Sequence, residues 1–180
     1  MNFVEPIRDL EKIRIIHEDL MKQNPRDALL FSFGIYTGLR ISDILKFKVK
    51  DVSRNAYNIR EKKTKKQKAY DFNSHLKKEI NVYIANKEAN EYLFKSREGN
   101  RPITRQRAYQ IIRKACNNNK IYNVGTHTLR KTFGYHAYKD KKDVALLMDI
   151  FNHSNESITL RYIGINQETG NEVIKKLKYF

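Results

Sequence analysis

A chain of 180 residues with 36 Lys and Arg against 20 Asp and Glu, a formal charge of +16, is long enough for one sizeable domain and short for two. Hydrophobic residues at 40%, with 7 Gly and 3 Pro, exclude a disordered or collagen-like chain. No apolar run reaches the length of a membrane span, no signal peptide is evident, and the single Cys116 cannot close an internal disulfide, so a cytoplasmic protein is expected.

Leu10, Ile13, His17, Leu20 and Met21 share one helical face, which predicts an amphipathic helix from about residue 6 to 22, broken at Asn24-Pro25. Residues 27–37 are apolar nearly all round and predict a buried central helix that stops at Thr37-Gly38, where glycine can adopt the left-handed cap. A short helix follows, with Ile41, Ile44, Leu45 and Phe47 turned inward. Val49 with Val52, Tyr57 to Ile59, and Ala69 to Phe72 then read as short strands of a small antiparallel sheet of about three strands. A lysine-rich loop lies between the last two. Helical spacing resumes at Leu76, Ile80, Tyr83 and Ile84, and at Ala108, Ile111, Ile112 and Ala115 behind an N-cap at Thr104. Further helices are predicted over 127–138, 141–150, 156–162 and 168–178. The fold class is α+β, mostly α: one helical domain with a small three-stranded sheet.

The charge excess disfavours a compact chain through self-repulsion and points to a polyanion, nucleic acid ahead of an anionic membrane surface; a generically basic, well-solvated protein is the plain alternative. Four segments could carry chemistry. Arg40 follows a buried helix and a glycine turn, and Asp43 on its helical face could hold it, as a site or as an ordinary structural pair. His127 and Arg130, three apart at a helix start, could move a proton and clamp a phosphate together, although the spacing alone is a weak signal. Lys62, Lys63, Lys65, Lys66 and Lys68 form either a solvated loop or a hairpin tip that reaches DNA phosphates, where a desolvated lysine could act as general acid. His153 and Tyr162 close the series. A tyrosine at its ordinary pKa of about 10 is a poor nucleophile without positive neighbours or a base, and in isolation it reads as one half-buried aromatic among 11. Arg105, Arg107 and Lys114 mark a basic helix face suited to phosphate contact, with Lys131 another DNA-contact candidate.

In chain order, Arg40, Lys63, His127-x-x-Arg130, His153 and Tyr162 resemble the catalytic set of the tyrosine recombinase (phage integrase) family, over roughly residues 6–178. The frames Thr37-Gly38-Leu39-Arg40-Ile41-Ser42-Asp43, His127-Thr128-Leu129-Arg130-Lys131-Thr132-Phe133 and Asn152-His153-Ser154 resemble the family's boxes, with Asp43 where glutamate is frequent and Asn152 where glycine is frequent. The resemblance implies a catalytic domain over residues 1–180, without the N-terminal core-binding or arm-binding domain usual in the family. It implies cleavage and rejoining of double-stranded DNA through a 3′-phosphotyrosine at Tyr162. Arg40 and Arg130 would clamp the phosphate, with Lys63 as general acid. His127 would assist the phenol's proton, His153 would bond the phosphate, and Asp43 would support the site. It implies no cofactor and no metal, a monomer without DNA, a homo-tetramer on paired sites and a possible accessory DNA-binding protein. The helix ending in Val173, Ile174, Leu177 and Phe180 would either link protomers or dock on its own domain. A type IB-like topoisomerase and a DNA-binding regulator without turnover are the competing readings.

Overall fold

The computed structural model describes residues 4–60 and 67–177. Helix α1 (Leu10–Gln23) starts four residues later than its apolar spacing suggested, because the Asp9 side chain caps it, accepting from the N–H groups of Glu11 and Lys12. Residues 4–8 form a separate strap in front of it. Asn24 both ends α1, its N–H donating to the Leu20 carbonyl, and caps α2 (Pro25–Thr37), its side chain accepting from the Arg26 N–H. Pro25 suits the first helical position because that N–H has no helical partner to lose. Leu29, Leu30 and Phe33 of α2 are fully buried, and the helix packs against α1, α5 and α7.

After Gly38 come two one-turn helices, α3 (Ile41–Ile44) and α4 (Val49–Val52). The second corrects the expected first strand. Val49 and Val52 are both buried, and a spacing of three puts them on one side of a helical turn but on opposite faces of a strand. Asp51 accepts from the Lys48 N–H and closes that turn. Among the described residues the sheet therefore has two strands, β1 (Ala56–Arg60) and β2 (Gln67–Asp71), antiparallel with Asn58 opposite Ala69. Its base is tied to the core by aromatic contacts: Tyr57 to Phe72 at 4.8 Å and Phe72 to Phe33 at 5.9 Å. The hairpin tip, with Lys62, Lys63, Lys65 and Lys66, lies outside the described residues.

Six more helices complete the described chain: α5 (Ser74–Ile84), α6 (Arg105–Asn118), α7 (Thr126–Lys141), α8 (Val144–Phe151), α9 (Glu156–Ile163) and α10 (Ile165–Lys176). Thr104 caps α6 as predicted, accepting from the Arg107 N–H at 3.1 Å. Lys142 takes a left-handed conformation and Asp143 caps α8, so the helix predicted from 141 begins at 144. Buried side chains form a large cluster around α2 and a smaller one of Tyr135, Leu147, Phe151, Ile163 and Ile165. Helix α7 belongs to both, through Leu129 and Tyr135. Gly134 makes the second contact possible, since a Cβ there would lie 2.6 Å from Phe151 and 2.7 Å from Ile163. The seam between the two clusters is where the polar residues converge.

Candidate active site

Gly38 ends α2 at φ +62°, a conformation that glycine adopts without a Cβ penalty. The turn does two things. It aims the Gly38 carbonyl at the buried Arg130 guanidinium, which donates to it, and it releases Arg40 to the surface. Arg130 also donates to the Phe151 carbonyl at 3.1 Å and lies 4.3 Å from the centre of the Phe151 ring. Of its five N–H donors, two are thus spent on carbonyls that fix the fork in place, leaving others for an anion. Arg40, Arg105, Thr126, His127 and Arg130 line one pocket of about 230 Å³, with Ile41 and Ser42. Three arginines around one small cavity form an anion site.

Helix α8 ends at Asn152, left-handed at φ +54°. That geometry favours glycine and tolerates asparagine, which explains the residue found there. The turn brings half-buried His153 back under α9, where its Nδ1 lies 3.0 Å from the Thr159 hydroxyl. Tyr162, three residues after Thr159, shares that inner face of α9. Its hydroxyl is 3.1 Å from His127 Nδ1. Its ring meets His153 at 5.2 Å and Phe151 at 5.5 Å, both edge to face.

Burial holds the Tyr162 phenol above the usual tyrosine value, while Arg130 and Arg40 pull it down. The resting phenol is therefore protonated at neutral pH and needs a base. His127 is suited to that role: burial first, then the charges of Arg130, Arg40, Lys131 and Arg105, hold its pKa below the ordinary value, so it is neutral near pH 7. His153 is shifted the same way, by burial and then by Arg130 and Arg40. Burial lowers Arg130 to about 10, which leaves it charged at neutral pH.

The structure thus brings Arg40, His127, Arg130, His153 and Tyr162 into one place, while Lys63 lies outside the described residues. Asp43 pairs with Lys46 at 3.1 Å, and its charge also favours the charged form of Arg130; it was expected to hold Arg40. Arg107 is exposed and donates to Gln110 at 3.4 Å, whereas Arg105 stands on the pocket itself. Lys131, expected at the DNA surface, is only 5% exposed, and its ammonium donates to the Val4 carbonyl at 2.8 Å. That placement corrects its assignment to phosphate contact, because a buried ammonium bonded to backbone does not face a duplex. Thr159 was missed. Its one sequence signal is the spacing of three to Tyr162, and a threonine in a helix carries no mark of what it faces.

The family model described as "Phage integrase family" matches residues 8–169. The chain belongs to the phage integrase family. Within it, the chain is 49% identical over 170 residues, 94% of either chain, to the Bacillus subtilis (strain 168) protein named "Probable integrase/recombinase YoeC". It spans about half the length of further curated relatives that it matches, which are named tyrosine recombinases or integrase/recombinases. Among solved structures it resembles the XerA recombinase, with a TM-score of 0.73 at 19% identity over 97% of this chain and 65% of that one. It also resembles the XerH site-specific recombinase bound to its difH substrate, with a TM-score of 0.70 at 19% identity over 89% of this chain and 51% of that one. At such identities the two structures establish the fold of this family member. Among its described residues, no helix is long and apolar enough to cross a membrane.

Proposed function

We propose that this phage integrase family member is the catalytic domain of a site-specific DNA recombinase that cuts and rejoins DNA through Tyr162. The observation that carries the proposal is the contact between the Tyr162 hydroxyl and a neutral His127, at the edge of a pocket ringed by Arg40, Arg105 and Arg130. His127 accepts the phenol proton as the Tyr162 oxygen attacks a backbone phosphorus. The new bond is a 3′-phosphotyrosine, and the bond broken is that from phosphorus to the 5′-oxygen. Lys63 gives that oxygen its proton as general acid. Arg40 and Arg130 bind the non-bridging oxygens and stabilise the charge that grows there. His153 donates to the same phosphate, and Asp43 supports the arginines. A 5′-hydroxyl from a second strand then reverses the step, so the energy of the broken bond is retained.

Double-stranded DNA is the substrate this charge favours, with the lysines of the hairpin tip, Lys62, Lys65 and Lys66, and Arg105 and Arg107 of α6 on its phosphates. Exchange between two duplexes needs four active sites, hence a homo-tetramer on paired sites assembled from monomers, with an accessory DNA-binding protein as a further partner. Ile174 and Leu177, 66% and 50% exposed at the end of α10, give that assembly an apolar contact.

The test is a nicked suicide duplex made from DNA flanking the gene. The wild-type protein is expected to form a covalent complex that survives denaturation, and Tyr162→Phe none. Binding by both proteins without an adduct from either would refute the proposal and leave a binding-only regulator.

A further inference from the structure

The strap ahead of α1 is fastened to α7 and to the segment just before it by four contacts. The Glu5 N–H donates to the Asn123 carbonyl at 3.0 Å, just before that helix. The Ile7 N–H donates to the Thr132 hydroxyl at 2.9 Å, and His136 Nε2 lies 2.9 Å from the Ile7 carbonyl. Between these, Lys131 reaches back to the Val4 carbonyl. Its ammonium also lies 5.2 Å from the centre of the Tyr162 ring, over its face. The neighbours of that ring from α8 and the turn after it, Phe151 and His153, and His127 from the start of α7, all meet it edge to face.

The ring is hemmed in by three T-shaped ring neighbours and by one cation over its face. Consecutive residues of α7 thus act on two parts of the same tyrosine: Arg130 hydrogen-bonds the hydroxyl and lowers its pKa, and Lys131 lies over the ring. A buried ammonium is costly to bury for packing alone, since an apolar side chain would fill the same space without desolvation. Here the cost is offset by a carbonyl, by a ring face and by the charge of Glu5, with Arg8 opposing.

We infer that Lys131 is a positioning residue for Tyr162, and that the strap Val4–Arg8 holds the nucleophile's ring in register by holding Lys131. This rests on the reading of Tyr162 as the nucleophile. The strap therefore belongs to the working geometry of the site, although it touches neither the pocket nor the phenol oxygen. A cation over a ring face resists tilting of the ring, and a displacement of one ångström at a nucleophile costs large factors in rate.

The experiment places 3-fluorotyrosine at position 162 and follows its fluorine resonance, beside adduct formation on nicked duplexes and affinity for an ordinary duplex. Lys131→Met is expected to move the resonance and slow adduct formation about tenfold, with affinity unchanged because the ammonium is buried. Lys131→Arg, which keeps the charge and a donor, should restore both to within about threefold of wild type. A chain shortened to begin at Pro6 keeps Ile7 in the core but loses the Val4 carbonyl. It should reproduce the Lys131→Met effects, and the two changes together should cost no more than either alone.

An unmoved resonance in folded Lys131→Met, or two losses that multiply, would overturn the inference. If Lys131→Met does not fold, the shortened chain decides alone, and a wild-type resonance and rate there overturn it. Should wild type itself form no adduct, the proposed function fails, while the fluorine resonance still decides the role of Lys131.

Discussion

His127 Nδ1 lies 3.1 Å from the Tyr162 hydroxyl across 35 residues of chain. The contact joins the first turn of α7 to the last turn of α9, so the proposed base and nucleophile are held together by the packing of two helices on one small core. Its chemistry has a pH signature. His127 takes a proton only as the neutral imidazole, and its pKa is depressed by burial and by four nearby cations. The rate of adduct formation should hold level through neutral pH down to the ordinary histidine value of about 6.5, and fall only below it. His127→Gln should lower the plateau by about 10²- to 10⁴-fold. A wild-type rate that instead climbs tenfold per unit up to pH 9 would mean that the phenol ionises unaided.

Arg130→Lys keeps the charge and discards the fork. A lysine reaches one of the two carbonyls, Gly38 or Phe151, and leaves the other buried without its donor, at a cost of about 1–3 kcal/mol in stability. Adduct formation should drop by about 10²- to 10³-fold, since a single ammonium does not present paired donors to a phosphate. Thermal unfolding and suicide-duplex assays on the same sample separate the two losses. A variant with normal stability and near-normal rate would show that the anchoring carbonyls do not matter.

Thr159 is placed to set the tautomer of His153. The hydroxyl has one proton, with His153 Nδ1 at 3.0 Å and the Asn155 carbonyl at 3.3 Å as acceptors. Given to Nδ1, it leaves Nε2–H as the donor that a phosphate needs. Thr159→Val should therefore reduce adduct formation about tenfold while Tm moves little, and Thr159→Ser should recover most of the loss. Equal rates for Val and Ser would exclude this role.

Gly134→Ala tests the second cluster. The added methyl would press on Phe151 and Ile163, which carry the Arg130 anchor on one side and the seat of α9 on the other. Overpacking of this kind costs about 1–3 kcal/mol, and the shift of α9 should reduce adduct formation more than DNA binding. Chemical denaturation and gel-shift titration provide the two readings. Full activity at reduced stability would detach Tyr162 from this packing.

The expected site rested on local contradictions, an arginine straight after an apolar helix and a histidine and an arginine on one helical face, whereas Tyr162 stood out only through its place in the ordered series. The start of α6 was legible from its cap, Thr104, whereas two other starts were displaced because the capping side chains, Asp9 and Asp143, lie inside the apolar spacing that predicted those helices. The expected third strand failed on a point of periodicity. Valine suits strands, yet a spacing of three between two buried valines is helical, and the hydrogen bond from the Lys48 N–H to Asp51 closes the turn.

The amino-acid sequence by itself determined the residue types, their order along the chain, and a charge of +16 that points to a polyanion. Only the tertiary structure decided which cations line the arginine-rich pocket and which are spent inside. Arg105 and Lys131 look alike as letters in basic segments, but one rims the pocket and the other is sealed under the Val4 carbonyl. The reason is physical: a side chain's direction is set by the helix it stands on, whereas its surroundings are set by elements far away in the chain. No local pattern encodes the carbonyl of residue 4 or the hydroxyl of Thr159.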